Sequence, residues 1–162
     1  FSFFLALKFQ LRGVHLGHRE KKSLKNRIQL AFLKLWHPKM KLSCSFNNLQ
    51  DFINSGSKYD YVFLKPVFVR HSLLDFSQTF SRKQLEANLP NSKKKVFALG
   101  SVSAEKVPMA QGVGFDGVVL QGSFWNQREK KMDFFKAVHE ACSEPAAQRK
   151  SMGIRPVRIN MT

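Results

Sequence analysis

Two small-residue turns stand where this chain could grip a phosphate. Val96–Leu99 and Gly117–Leu120 are short apolar runs. The first ends in Gly100-Ser101, and the second, one residue further on, in Gly122-Ser123. A helix-sized segment separates them. Buried parallel strands read as short continuous apolar runs and need a crossover between them. The stretch therefore reads as a β–α–β unit with a glycine turn after each strand. Backbone N–H groups at such a turn can approach an anion closely, so the turns are candidates for phosphate binding. The alternative is that they are ordinary turn glycines, which follow most buried strands.

Other side chains with chemical potential lie after earlier strands. His18-Arg19-Glu20 follows the apolar run Gly13–Leu16, and Arg70, His71 and Ser72 sit in a longer loop, 69–80, after the run 59–68. Long loops at strand ends are usually functional. His15 lies inside the first run, where a histidine is more often a satisfied core residue than a ligand. His37, His71 and His139 have no Cys, Asp or Glu at ligand spacing, so no transition-metal site is expected. Cys44 and Cys142 give neither a disulfide framework nor zinc spacing, and they fit a reducing cytoplasm.

The elements that must position these residues alternate regularly. Strands are expected at 13–16, 41–44, 60–65, 96–100 and 117–121. Helices are expected over 23–36 (stopped by Pro38), 49–54 (capped by Asn47 or Asn48), 81–88, 104–112 (capped by Ser103) and 125–142. For the last helix the expected apolar face is Phe124, Met132, Phe135, Val138 and Cys142. Strands alternating with helices make a parallel sheet. The ordered domain is expected to span 1–143. Residues 144–162 read as a basic, mobile tail in which 154–159 could add an edge strand.

With 162 residues and 43% hydrophobic content, the chain is long enough for one packed domain. No apolar stretch is long enough to span a bilayer, and Phe1–Phe9 lacks the basic lead-in and cleavage site of a signal peptide. The formal net charge of +16 invites a polyanion partner. The cations are dispersed, however, with no aromatic RNA-binding strand, GXXG loop or Cys/His finger beside them. A solvated basic surface serving an anionic substrate is favoured over a nucleic-acid-binding module.

The order GVHLG, SCSFNNLQDF, DYVFLKPVF and FALGSVSAEKVPMAQGVGFDGVVLQGSFW resembles the thiamine phosphate synthase/TenI (thiazole tautomerase) family over roughly residues 5–142. The resemblance implies an α/β chain of the (β/α)8 TIM-barrel family. The five strands here would be strands 4 to 8, a partial barrel that agrees with the non-Met start. Five strands cannot close such a barrel, so an exposed sheet edge and a homo-oligomer are expected.

The synthase couples hydroxymethylpyrimidine diphosphate to thiazole phosphate with magnesium and releases pyrophosphate. By resemblance, Gly100, Ser101, Gln121 and Gly122 bind the thiazole phosphate, with Ser101 in place of the family's second Gly. Ser45 is the catalytic-side serine of a Ser-x-His-Ser pattern whose His and last Ser are Asn47 and Asn48 here. Glu20 stands for the magnesium-binding Asp. In the loop after strand 6, Arg70, His71 and Ser72 face the diphosphate, and Leu73 replaces the usual Lys. These departures bear on the transfer step more than on the family. A tautomerase-like or inactive member that binds thiazole phosphate without transfer is the alternative.

Overall fold

The computed structural model describes residues 3–17, 20, 23–70 and 76–143. Five strands, β1 (Gly13–Leu16), β2 (Lys41–Phe46), β3 (Tyr61–Leu64), β4 (Lys95–Leu99) and β5 (Gly117–Val119), form one parallel sheet in the order β1-β2-β3-β4-β5. Helices α1 (Phe3–Lys8), α2 (Leu24–Trp36), α3 (Leu49–Ser55), α4 (Arg82–Asn88), α5 (Val107–Gly112), α6 (Gly122–Trp125) and α7 (Lys131–Ser143) complete the α/β alternation. The expected strands are all present, with ends displaced by one or two residues. The sheet is open, as five strands require.

The side-chain period of two divides the sheet into unlike faces. Val14, Leu16, Cys44, Phe46, Val62, Leu64, Val96 and Ala98 form the buried face, packed with Leu30, Leu33, Leu49, Phe52 and Leu85 from the helices. The opposite face carries His15, Tyr61, Phe63 and Phe97, whose neighbouring rings lie 5.1 to 6.1 Å apart. His15 is exposed there, while Ser43 and Ser45 are buried.

Two aspartates fasten strand entries in the same way. Asp60 accepts from the Leu42 N–H at 2.7 Å, and its own N–H donates to the Leu42 carbonyl at 2.8 Å. Asp116 repeats this on Val96, at 2.7 and 2.9 Å. Each carboxylate satisfies a backbone donor at the end of a ladder where no further residue pairs.

Two helices differ from expectation. The predicted helix 104–112 begins as a 3-10 turn, Ala104–Lys106, and becomes α-helical at Val107, with Pro108 in the first turn where its missing N–H costs nothing. Ser103 holds the cap position but makes no capping bond. The predicted helix 125–142 is two helices, broken over 126–130, where Asn-Gln-Arg-Glu-Lys offers no apolar anchor to the core. In α7 the packed residue is Val138, with Phe134, Ala141 and Cys142 half-buried, whereas Met132 and Phe135 are exposed. The tail, 144–162, and its suggested edge strand lie outside the described residues.

Asp60 also meets Lys34 at 3.3 Å and Lys41 at 3.6 Å. Burial would raise its pKa, but the Leu42 N–H and the two lysines outweigh this and hold it below the usual carboxylate range. A depressed carboxylate stabilises the fold above its unfolded pKa, about 3.9, and that contribution is lost as pH falls through the lower folded value. Asp60→Asn should therefore cost on the order of 1 kcal/mol at neutral pH and almost nothing at strongly acid pH. Urea unfolding of both proteins at the two pH values measures this; an equal gap at both would show that the charge of Asp60 is irrelevant.

Candidate functional site

Three loops meet at the C-terminal ends of β3, β4 and β5. The chain leaving β3 runs beside the end of β4, where the Val67 N–H donates to the Leu99 carbonyl at 3.0 Å. The Gly100-Ser101 turn follows at once. Gly100 has φ +112°, and a Cβ there would lie 3.0 Å from Pro66 Cα. Both the dihedral and the close approach require glycine. Ser101 adopts φ +51°, a left-handed conformation that a non-glycine residue holds only under restraint.

That restraint is Lys106, a side chain the sequence reading did not single out. It is only 3% exposed. Its Nζ donates to the Ser101 carbonyl and to the Val69 carbonyl, each at 3.0 Å, and stands 5.6 Å from the Phe68 ring centroid. Burial lowers its pKa, with Glu105 opposing. One ammonium thus joins the loop after β3 to the turn after β4.

These loops enclose a cavity of about 670 Å³ lined by Arg70, Gly100, Ser101, Lys106, Gln121, Gly122 and Ser123, with Glu105 at its wall. Gln121 caps α6, and a Cβ on Gly122 would meet no atom within 4 Å. Two cations against one carboxylate leave the lining net positive. Glycine turns beside Arg and Lys on one cavity are suited to an anion of phosphate size. Parallel α/β folds hold ligands at this end of their strands.

The structure thus brings together six of the residues singled out in the sequence: Arg70, Gly100, Ser101, Gln121, Gly122 and Ser123. Ser45 lies elsewhere. Its Oγ is 2.9 Å from His15 Nε2, Ser43 Oγ is 2.9 Å from His15 Nδ1, and both serines are buried. Burial and the nearby Lys65 lower the His15 pKa, with Glu20 opposing, and the ring bridges the two serine hydroxyls through its two nitrogens. His15 has both ring nitrogens partnered, but it stands exposed on the open face of the sheet and not in the core expected from sequence.

Glu20 also lies apart. Its carboxylate accepts from the Gly17 N–H at 2.7 Å, which lowers its pKa, and the residue borders a separate crevice with Leu16, Lys34 and Tyr59. Among the described residues no group of three His, Cys, Asp or Glu side chains could hold a metal ion. Glu20 fits magnesium only as a single carboxylate arm, the kind of site completed by substrate phosphates. His71 and Ser72 lie outside the described residues.

No protein-family model matches this sequence, and no curated protein matches it significantly. Solved structures do match its fold. Thiamine phosphate pyrophosphorylase from Pyrococcus furiosus superposes with a TM-score of 0.66 at 17% identity, covering 87% of this chain and 64% of that one. Thiamine phosphate pyrophosphorylase from Bacteroides thetaiotaomicron gives 0.62 at 22% identity, with 87% and 66% covered. A structure described as native KDPGal gives 0.60 at 11% identity, with 93% and 67% covered. The chain therefore has the α/β architecture of TIM-barrel enzymes and spans just under two thirds of the two pyrophosphorylases. Among the described residues no helix is long and apolar enough to cross a membrane.

The two glycines separate a structural role from a binding role. Gly122→Ala should leave stability within about 0.5 kcal/mol of wild type, while its methyl enters the cavity and weakens binding of a small phosphate ester at least tenfold. Gly100→Ala should destabilise the fold by about 1–3 kcal/mol. Thermal unfolding and calorimetric titration measure both, and undiminished binding by Gly122→Ala would remove that residue from the site.

Proposed function

We infer that the cavity binds the phosphate of a thiazole phosphate and that the chain belongs to thiamine biosynthesis as a cytoplasmic transferase of the thiamine phosphate synthase type. The observation that carries this reading is the convergence of Gly100-Ser101, Gln121-Gly122 and two cations on one cavity, in a fold superposable on two thiamine phosphate pyrophosphorylases.

In this reaction the bond between the pyrimidine methylene carbon and the diphosphate oxygen breaks, the thiazole nitrogen forms a new bond to that carbon, and pyrophosphate leaves with the electron pair. The chain's own contribution is orientation and charge. The two glycine turns fix the thiazole phosphate, which sets the direction of the ring nitrogen. Lys106 keeps the Ser101 turn in its left-handed form. Arg70, the exposed cation after β3, is placed to meet the diphosphate as negative charge accumulates on it. Magnesium, where used, supplies further neutralisation of the diphosphate, with Glu20 as the one described carboxylate suited to it.

A second reading is favoured by the positions of Ser45 and Glu20. Neither lines the cavity, and Ser45 Oγ is already engaged by His15. On that evidence the chain binds thiazole phosphate without completing transfer, as a tautomerase-like or inactive relative would.

Incubation with both substrates and magnesium, followed by phosphorus NMR, separates the readings. Transfer predicts pyrophosphate and thiamine phosphate in equal amounts, reduced at least tenfold by Lys106→Met. Calorimetric binding of thiazole phosphate with no pyrophosphate formed would establish the second reading, and no binding of thiazole phosphate would overturn both.

A further inference from the structure

Helix α2 has two apolar faces. One packs inward through Leu30 and Leu33, which are 8% and 2% exposed. The other carries Leu24, Ile28, Phe32, Leu35 and Trp36, all between 51% and 76% exposed. At about 100° per residue Leu24, Ile28, Phe32 and Leu35 lie on the side of the helix opposite Leu30 and Leu33, with Trp36 at the edge of that face. They therefore point away from the sheet, and a partner reaches them from outside the α/β layers. Helix α1 packs beside α2 and adds exposed Phe4, followed by exposed Phe9 just after the helix, with Lys8 Nζ 5.9 Å from each of their ring centroids.

Cations outnumber acids around this helix, whose described acidic neighbours are Glu20 at its start and Asp60 beside Lys34. From Lys21 to Gln50 the sequence contains no Asp or Glu, while Lys25, Arg27, Lys34, Lys39 and Lys41 all fall in that span. Lys34 and Lys41 are engaged with Asp60, but Lys25 and Lys39 are exposed. An outward stripe of Leu, Ile, Phe and Trp rimmed by Lys matches the chemistry of a membrane interface, with apolar side chains entering the acyl boundary and cations meeting anionic headgroups. A second copy docked through the same face would bring like charges together. Nucleic acid would meet the cations and could stack on Phe4, Phe9, Phe32 and Trp36, so it is the competing occupant, and tight binding of single-stranded DNA without binding to anionic vesicles would overturn the membrane proposal.

We propose that the outer face of α2, extended by Phe4 of α1 and by Phe9 just after it, docks reversibly on an anionic phospholipid bilayer. It does so without spanning the bilayer and without using the cavity.

The test is flotation of the purified chain with vesicles of phosphatidylcholine alone, or of phosphatidylcholine with about 30% phosphatidylserine. A Trp125→Phe background leaves Trp36 as the sole tryptophan. The proposal expects binding to the anionic vesicles only, a blue shift of Trp36 emission on binding, and weakening as ionic strength rises. The double variant Phe32→Ser/Leu35→Ser should lower partitioning at least tenfold with an unchanged circular dichroism spectrum. Should that variant misfold, Lys25→Glu/Lys39→Glu carries the same expectation. No binding to anionic vesicles at low salt, equal binding to both vesicle types, or binding without a Trp36 shift would overturn the proposal. So would a dimer in light scattering that the double variant dissociates, since the face would then belong to a second copy.

Discussion

The site depends on one buried ammonium. Taking a lysine charge out of water costs several kcal/mol unless polar groups replace the lost hydration. For Lys106 they are the carbonyls of Val69 and Ser101, with the Phe68 ring nearby. The two carbonyls come from different loops, so the ammonium can be satisfied only when the chain leaving β3 and the turn leaving β4 stand together. The same bond restrains Ser101 in its left-handed conformation. A charge that must be solvated by backbone thus becomes a geometric constraint on the cavity wall, and leaves a cation at an anion-sized opening.

The sheet beneath supplies rigidity for that arrangement. Its buried face is a continuous aliphatic and aromatic layer, and Asp60 and Asp116 close the entries of β3 and β5 on their neighbours. The opposite face is of another kind. His15 is held between Ser43 and Ser45, and Phe63 and Phe97 continue the row of rings. In this arrangement Ser45 Oγ is engaged with His15 and lies apart from the loops that line the cavity.

Much of the fold was legible because strands of a parallel sheet are written as short apolar runs closed by glycine or proline. The runs at 13–16, 60–65 and 96–100 needed no knowledge of their partners. The glycine turns were legible for the same reason, since Gly100 is demanded by local dihedral and close packing. The break at 126–130 was missed because Met132 and Phe135 continue a helical period that the structure leaves in solvent. Lys106 was illegible for a different reason. One of its acceptors, the Val69 carbonyl, lies 37 residues away in sequence, and nothing local marks a lysine that folding will bury. The outer face of α2 was hidden too: the spacing of Leu24, Ile28, Leu30, Ala31, Leu33 and Leu35 reads as an amphipathic helix with a Lys/Arg outer face, whereas Leu24, Ile28 and Leu35 are exposed. The likeness to thiamine phosphate pyrophosphorylases appears in the backbone at 17% and 22% identity. Topology and turn placement survive sequence change that erases most side-chain identities.

A crystal structure of the chain soaked with thiazole phosphate tests the central claim most directly. The account predicts the phosphate in the cavity, within hydrogen-bonding distance of backbone N–H groups in both the Gly100-Ser101 and Gln121-Gly122 turns, with Lys106 still bonded to the Val69 and Ser101 carbonyls. A phosphate bound elsewhere, with this cavity holding only water, would contradict it.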